Sequence, residues 1–317
     1  WIFYVNIPVV IIAVLLNHFY LSPFKPFNPK AKLDWFGTLL LAGGSVGLIY
    51  GMMKGSTNAK NFFNSQMITF VLIGLALFII YGIYNQIRKN NTVLPLRFFK
   101  SKHFTAANIG IFLAGIASNG PMLLLPLFFQ NTKGFTAIEA GLMLIPQGLG
   151  MMATRPLIGK MIDRLGARPV VLVSIAISLL GTIPFIFVQE NTNLIWLGLV
   201  LFIRGMGIGG LQMPMMTDIF IGLDKQDIPG ASVGQRIIQN VGSSFGSAVI
   251  SAVVTAVVTS EIAGQMTTKL HQLAALHTTL TPTVIATAKT SVEKAVTLNG
   301  YQLGFLVSSI VLIIIAL

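Results

Sequence analysis

Nine predominantly apolar runs follow one another along this chain, and most of its charge lies between them. They cover about 1–21, 34–53, 67–87, 104–130, 137–154, 169–188, 194–216, 230–258 and 300–317. A helix needs roughly 20 such residues to cross the hydrocarbon of a bilayer. In that solvent each segment must satisfy its own backbone polar groups, so a series of runs this long leads to a bundle of spanning helices. Only 9% of the residues are charged, too few to coat a water-soluble fold of this size, where about 25% is usual. The expected fold class is all-α, polytopic and membrane-embedded, with the lipid bilayer as a partner.

Charge placement orients the bundle. Thirteen Lys and Arg residues fall in one set of loops and six in the opposite set, with Arg204 and Arg236 inside spans. The richer set is cytoplasmic, so the first run enters from outside at Trp1. The net charge of +12 forms no basic face interleaved with aromatics, which argues against nucleic acid as a partner. With no cysteine there is no disulfide or thiolate chemistry, and His18, His103, His271 and His277 share no metal-ligand spacing. The glycine-rich runs sit inside apolar helices, and no Walker A, His-Glu-x-x-His or Gly-x-Ser-x-Gly string occurs. No catalytic set, metal site or cofactor is expected, and the chain reads as a non-enzyme.

The stretch Arg155–Pro169 is a short, cation-rich connection between two apolar runs. Such a connection makes the flanking helices antiparallel neighbours. Gly166 suits the turn, Pro169 suits the first turn of the next helix, and Asp163 can accept from arginines or from that helix's free N–H groups. Gly159, Asp163, Arg164, Gly166 and Arg168 together resemble the cytoplasmic loop motif of the major facilitator superfamily. The resemblance implies that the carboxylate and arginines latch neighbouring helices in one state of a transport cycle.

Further strings, in order, resemble the 14-helix drug:proton antiporters of that superfamily. Trp1-Ile-Phe-Tyr-Val-Asn-Ile-Pro looks like the start of their sixth helix, and Asp34-Trp35-Phe36-Gly37 like the start of their extra hairpin. Leu94-Pro95-Leu96-Arg97-Phe98-Phe99 reads as a surface linker. The string from Leu125-Pro126-Leu127-Phe128-Phe129-Gln130 through Glu139-Ala140-Gly141 to Pro146 is the strongest match. The family's Arg-Gln pair before the glycines of run eight is absent: Gln239 and Asn240 stand there, with Arg236 a turn earlier. The implied layout is a sixth helix at 1–21, an extra hairpin with cytoplasmic linker at 22–103, and a C-terminal six-helix half at 104–317. Both ends read as cut, with an N-terminal helix bundle of the same protein expected upstream and the last helix truncated. The implied function is proton-coupled export of drug-like amphiphilic or cationic small molecules by alternating access. Transport of a specific metabolite, or a non-transporting membrane scaffold, are the alternatives.

Within the spans, Gly242 and Gly246 form a small-xxx-small pair for close helix packing. Asn119, Gln130, Met206, Gln212 and Met213 are candidates to line a cavity, with core packing or an interfacial position as the competing role. Arg204 lies midway along run seven, where an arginine costs about 2.5–3.5 kcal/mol on insertion scales and must face protein or water. Gln212, Asn119, backbone carbonyls freed near the glycine run or a carboxylate from the upstream half are its candidate partners. Either it ties the bundle together or it places a charge in the cavity. Residues 259–299 read as a polar outer segment, with Asn299-Gly300 as a turn into the last helix.

Overall fold

The computed structural model describes residues 4, 6–20, 34–56, 62–89, 91–275 and 281–317. Its helices are α1 (Asn6–Tyr20), α2 (Trp35–Ser56), α3 (Ser65–Ile87), α4 (Lys102–Asn131), α5 (Ala137–Leu142), α6 (Ile145–Leu165), α7 (Ala167–Thr182), α8 (Leu194–Ile219), α9 (Ile228–Ala275) and α10 (Pro282–Ala316). Short 3-10 turns occupy Leu96–Lys100 and Ile183–Phe187, and no strand occurs among the described residues. Seven of these helical segments are long and apolar enough to cross a membrane: α2, α3, α4, α7 with its 3-10 extension, α8, α9 and α10. Apolar side chains such as Leu39, Val46, Leu72 and Ile79 remain exposed on the hairpin of α2 and α3. Lipid solvates such a face as well as a protein core would.

The local signals explain most helix ends. Asp34 caps α2 by accepting from Gly37 N at 3.0 Å, Asn64 caps α3 through Met67 N, and Thr136 with Glu139 forms a full capping box on α5. That box places Glu139 in an exposed cap. The fifth run is a broken helix, because α5 stops at Leu142 and α6 restarts with Pro146 in its first turn.

Three expectations are corrected. Arg155–Leu165 is helix rather than hinge: α6 carries its buried Thr154 and Ile158 on one face and turns its charges outward, and the connection to α7 is Gly166 alone, at φ 82°. The linker around Leu94 is not a surface segment, since Leu94 and Phe98 are buried. Most of 259–299 is helix. α9 runs for 48 residues, about 72 Å at 1.5 Å per residue, and α10 pairs with it through Ala288, Val292 and Val296. Asn299-Gly300 therefore lies inside α10, where Gly300 sits against Val254 of α9 and Asn299 donates to Glu261 Oε2 at 3.3 Å. The four-residue spacing of small apolar side chains outweighed the turn propensity of that dipeptide.

Two cores hold the bundle. One gathers Tyr81, Leu94, Phe98, Phe104, Leu211, Met215 and Ala231 at the end where α4 begins. The other gathers Leu125, Phe128, Phe129, Phe185, Leu201, Tyr301 and Phe305 where α4 ends. Between them, α8 is flanked by α6 and α7, and α4 packs on α9 and α10.

Candidate functional site

The glycines of α8 set the geometry at mid-span. A Cβ at Gly205 would fall within 3.0 Å of Gln147 on α6, and one at Gly207 or Gly210 would meet Ser178 or Ser174 on α7. Backbones thus touch without intervening side chains. Arg204 enters at this crossing, with Gly181 of α7 directly against its Cα. Its side chain is fully buried, at 0% exposure. Nη1 donates to Gln147 Oε1 at 3.0 Å and Nη2 to the Ser118 carbonyl of α4 at 3.4 Å. Among the described residues Nε has no hydrogen-bond partner and no carboxylate pairs with the guanidinium. Pro121 has no N–H to give to the Ala117 carbonyl, the neighbour of Ser118 in α4.

Neither side chain named from sequence as a partner fills that role. Asn119 turns to Gly115 O at 3.2 Å and to Ser243 Oγ of α9 at 2.9 Å, and Gln212 is half-buried with no hydrogen bond to a described residue. Reasoning from sequence missed Gln147 and the Ser118 carbonyl, which lie 57 and 86 residues from Arg204. The available signal was a glutamine inside the apolar string that follows the capping box. Arg204 is thus enclosed by α4, α6, α7 and α8.

At the α6–α7 turn, Gly166 supplies the left-handed φ that the one-residue connection requires. Asp163, Arg164 and Arg168 are all exposed, and Gly159 is half-buried with open space beside its Cα. Asp163 bonds to no described arginine, and the α7 N-terminus has no side-chain cap. The motif residues are therefore gathered on one edge without being closed on each other. Arg168 also lines a cavity of about 370 Å³ with His103, Met215 and Asp218, where His103 Nδ1 lies 3.5 Å from Asp218 Oδ1.

The remaining candidates separate. Gln130 bends back onto Pro126 O at 3.2 Å, Met206 is half-buried beside Gly150, and Met213 is exposed. Gly242 and Gly246 meet the backbone of Phe112 and Ile116, so α9 crosses α4 in direct contact. Lys133 ties the end of α4 to the α7–α8 loop through the carbonyls of Glu190 and Thr192. Burial holds its ammonium below the usual lysine range, with Glu190 opposing the shift.

A family model described as Major Facilitator Superfamily matches residues 1–226. A protein called multidrug resistance protein B homolog from Mycobacterium tuberculosis is 30% identical over 217 residues, covering 68% of this chain and 40% of that protein. An uncharacterized MFS-type transporter, YhcA of Bacillus subtilis, is 26% identical over 216 residues, 68% of this chain and 40% of its own length. A lincomycin resistance protein, LmrB of Listeria innocua, is 25% identical over 246 residues, 76% of this chain and 50% of its own. The matched region thus spans half or less of each of these relatives.

Proposed function

The chain belongs to the major facilitator superfamily and is a multi-pass protein of the cell membrane, and from that premise we propose that it forms part of a secondary exporter of drug-like amphiphilic or cationic compounds, driven by proton entry. The observation that carries the substrate class is the resistance naming of relatives matched over about two thirds of the chain or more. The observation consistent with the energy source is the sequence itself, which has no Walker A string. In this reading residues 1–21 are the sixth helix, 22–103 the extra hairpin and its linker, and 104–317 the C-terminal half. Substrate binds between that half and an N-terminal helix bundle, as in transporters built from two rocking halves.

Within the cycle, Asp163, Arg164 and Arg168 are the latch on the cytoplasmic side. Arg204 is assigned the tie role, holding α4, α6 and α8 together while the halves rock. Asn119, Gln130, Met206, Gln212 and Met213 stay cavity candidates. Of these, Met213 is the most accessible, and its adaptable thioether suits varied apolar ligands.

Expression of the whole transporter, both helix bundles included, in a drug-sensitive bacterium tests the substrate class. Raised tolerance to several unrelated amphiphilic cations is expected, and it should vanish when a protonophore collapses the gradient. Unchanged tolerance to the whole panel, with the protein present in the membrane, would refute this reading.

A further inference from the structure

The hairpin of α2 and α3 meets the rest of the bundle along α2, which packs on α9, and at its linker, where Asp34 sits. Asp34 Oδ1 accepts from Gly37 N at 3.0 Å and from Tyr84 Oη of α3 at 2.7 Å, while Oδ2 accepts from Val93 N of the linker at 3.3 Å. Its backbone carbonyl takes Thr38 N and Oγ1 at 2.9 and 2.8 Å. One side chain thus fixes the start of α2, the end of α3 and the strand of linker that leaves them. Arg88 Nε, donating to Tyr84 Oη at 3.2 Å, holds that phenol in place. A Cβ at Gly37 would overlap the Asp34 carboxylate, so the sequence pair Asp34 and Gly37 is needed for this arrangement.

The linker is in turn gripped from both sides. Buried Tyr81 of α3 receives Leu94 N and donates to Leu94 O, each at 2.9 Å, and Asn85 adds a bond to the same carbonyl at 3.2 Å. On the other side, Gly230 of α9 lies against Val93 O and Pro95, and Gly234 lies against the Leu94 side chain. Arg97 Nη2 pairs with Asp227 Oδ1 at 2.7 Å, just before α9 begins. Phe98 then packs on Phe104 in the first turn of α4, ring centroids 5.6 Å apart. A surface linker would add no such grip to the direct packing of α2 on α9. This one is a wedge, with hydrogen bonds to α3 on one face and close contact with α9 on the other.

We infer that Asp34 is a positioning residue that locks the α2–α3 hairpin, through the 91–98 linker, onto α4 and α9 as a single rigid unit. On the transport reading above, the hairpin therefore travels with the C-terminal half instead of acting as a flexible spacer. The rigid coupling itself needs no transport to be measured, so the two claims fail separately.

The absence of cysteine makes the chain suited to pairwise spin labelling. Cysteines replace Ile79 on the lipid face of α3 and Leu180 on α7, both exposed. The distance between the two labels is then measured by pulsed electron spin resonance in lipid nanodiscs. One narrow distance is expected, unchanged by pH or by an added amphiphilic cation. Asp34→Ala and the milder Tyr84→Phe should each broaden the distribution, the first more than the second, with the α7 label alone giving an unchanged spectrum. A broad distribution in the parent chain would overturn the rigid unit. A narrow one retained in both variants would overturn the role of Asp34.

Discussion

Replacing Gln147 by Leu removes the nearest acceptor of Arg204 at almost constant volume. The guanidinium, fully buried, is then left with the Ser118 carbonyl at 3.4 Å. A hydrogen bond to a charged group contributes about 1.5–3 kcal/mol. Stranding a buried charge raises the loss toward about 3–5 kcal/mol. Arg204→Met removes the charge and strands only a neutral amide, a loss of about 1–3 kcal/mol. The double variant has neither a charge nor an orphan amide at the crossing. It should therefore be more stable than Gln147→Leu alone, although it carries one change more. Equilibrium unfolding in mixed micelles, followed by tryptophan fluorescence, gives the four free energies of the cycle. Simple additivity would refute the pairing, because independent sites add and coupled ones do not. Arg204→Lys should also be destabilised, since an ammonium lacks the planar fork that reaches α4 and α6 together.

Three further outcomes follow from the same geometry. Asp163→Asn should slow turnover per molecule more than it lowers the amount in the membrane, by shifting the balance between states; unaltered turnover removes the latch role. Gly246→Val drives a branched side chain into the Ile116 backbone, and overpacking of this kind costs about 1–3 kcal/mol or more, so the yield of folded protein from detergent should fall sharply. Lys133 titrates below its ordinary 10.5 in the folded chain, so between the folded and unfolded values the unfolded chain binds more protons and stability rises with pH; Lys133→Met should abolish this alkaline rise in unfolding measurements.

What the sequence disclosed was chiefly local. Spans announce themselves by length and apolarity, and Asp34 marks a helix start by its residue type. The glycine pair at 242 and 246 foretold a close crossing, and Gly242 and Gly246 do touch α4. Hydropathy alone misled where helices are not apolar. Residues 259–275 of α9 and the first half of α10 are polar on their outer faces, and only Ala288, Val292 and Val296 at four-residue intervals betrayed the helix. Charged side chains at the end of α6 looked like loop because they point away from Thr154 and Ile158. The Arg204 partners were hidden for another reason. Gln147 and Ser118 become neighbours only through the crossing of three helices, and no local rule joins residues so far apart in the chain. The linker likewise read as surface because its burial depends on Gly230 and Gly234 of a distant helix.

The exchange of proton for drug is best tested in everted membrane vesicles bearing the protein, loaded acid inside and containing a pH dye. Adding an amphiphilic cation that the protein confers tolerance to should make the lumen more alkaline as the compound enters, and only in vesicles that carry the protein. Uptake of the compound that persists unchanged after the proton gradient is dissipated, or no uptake at all, would contradict proton-coupled export.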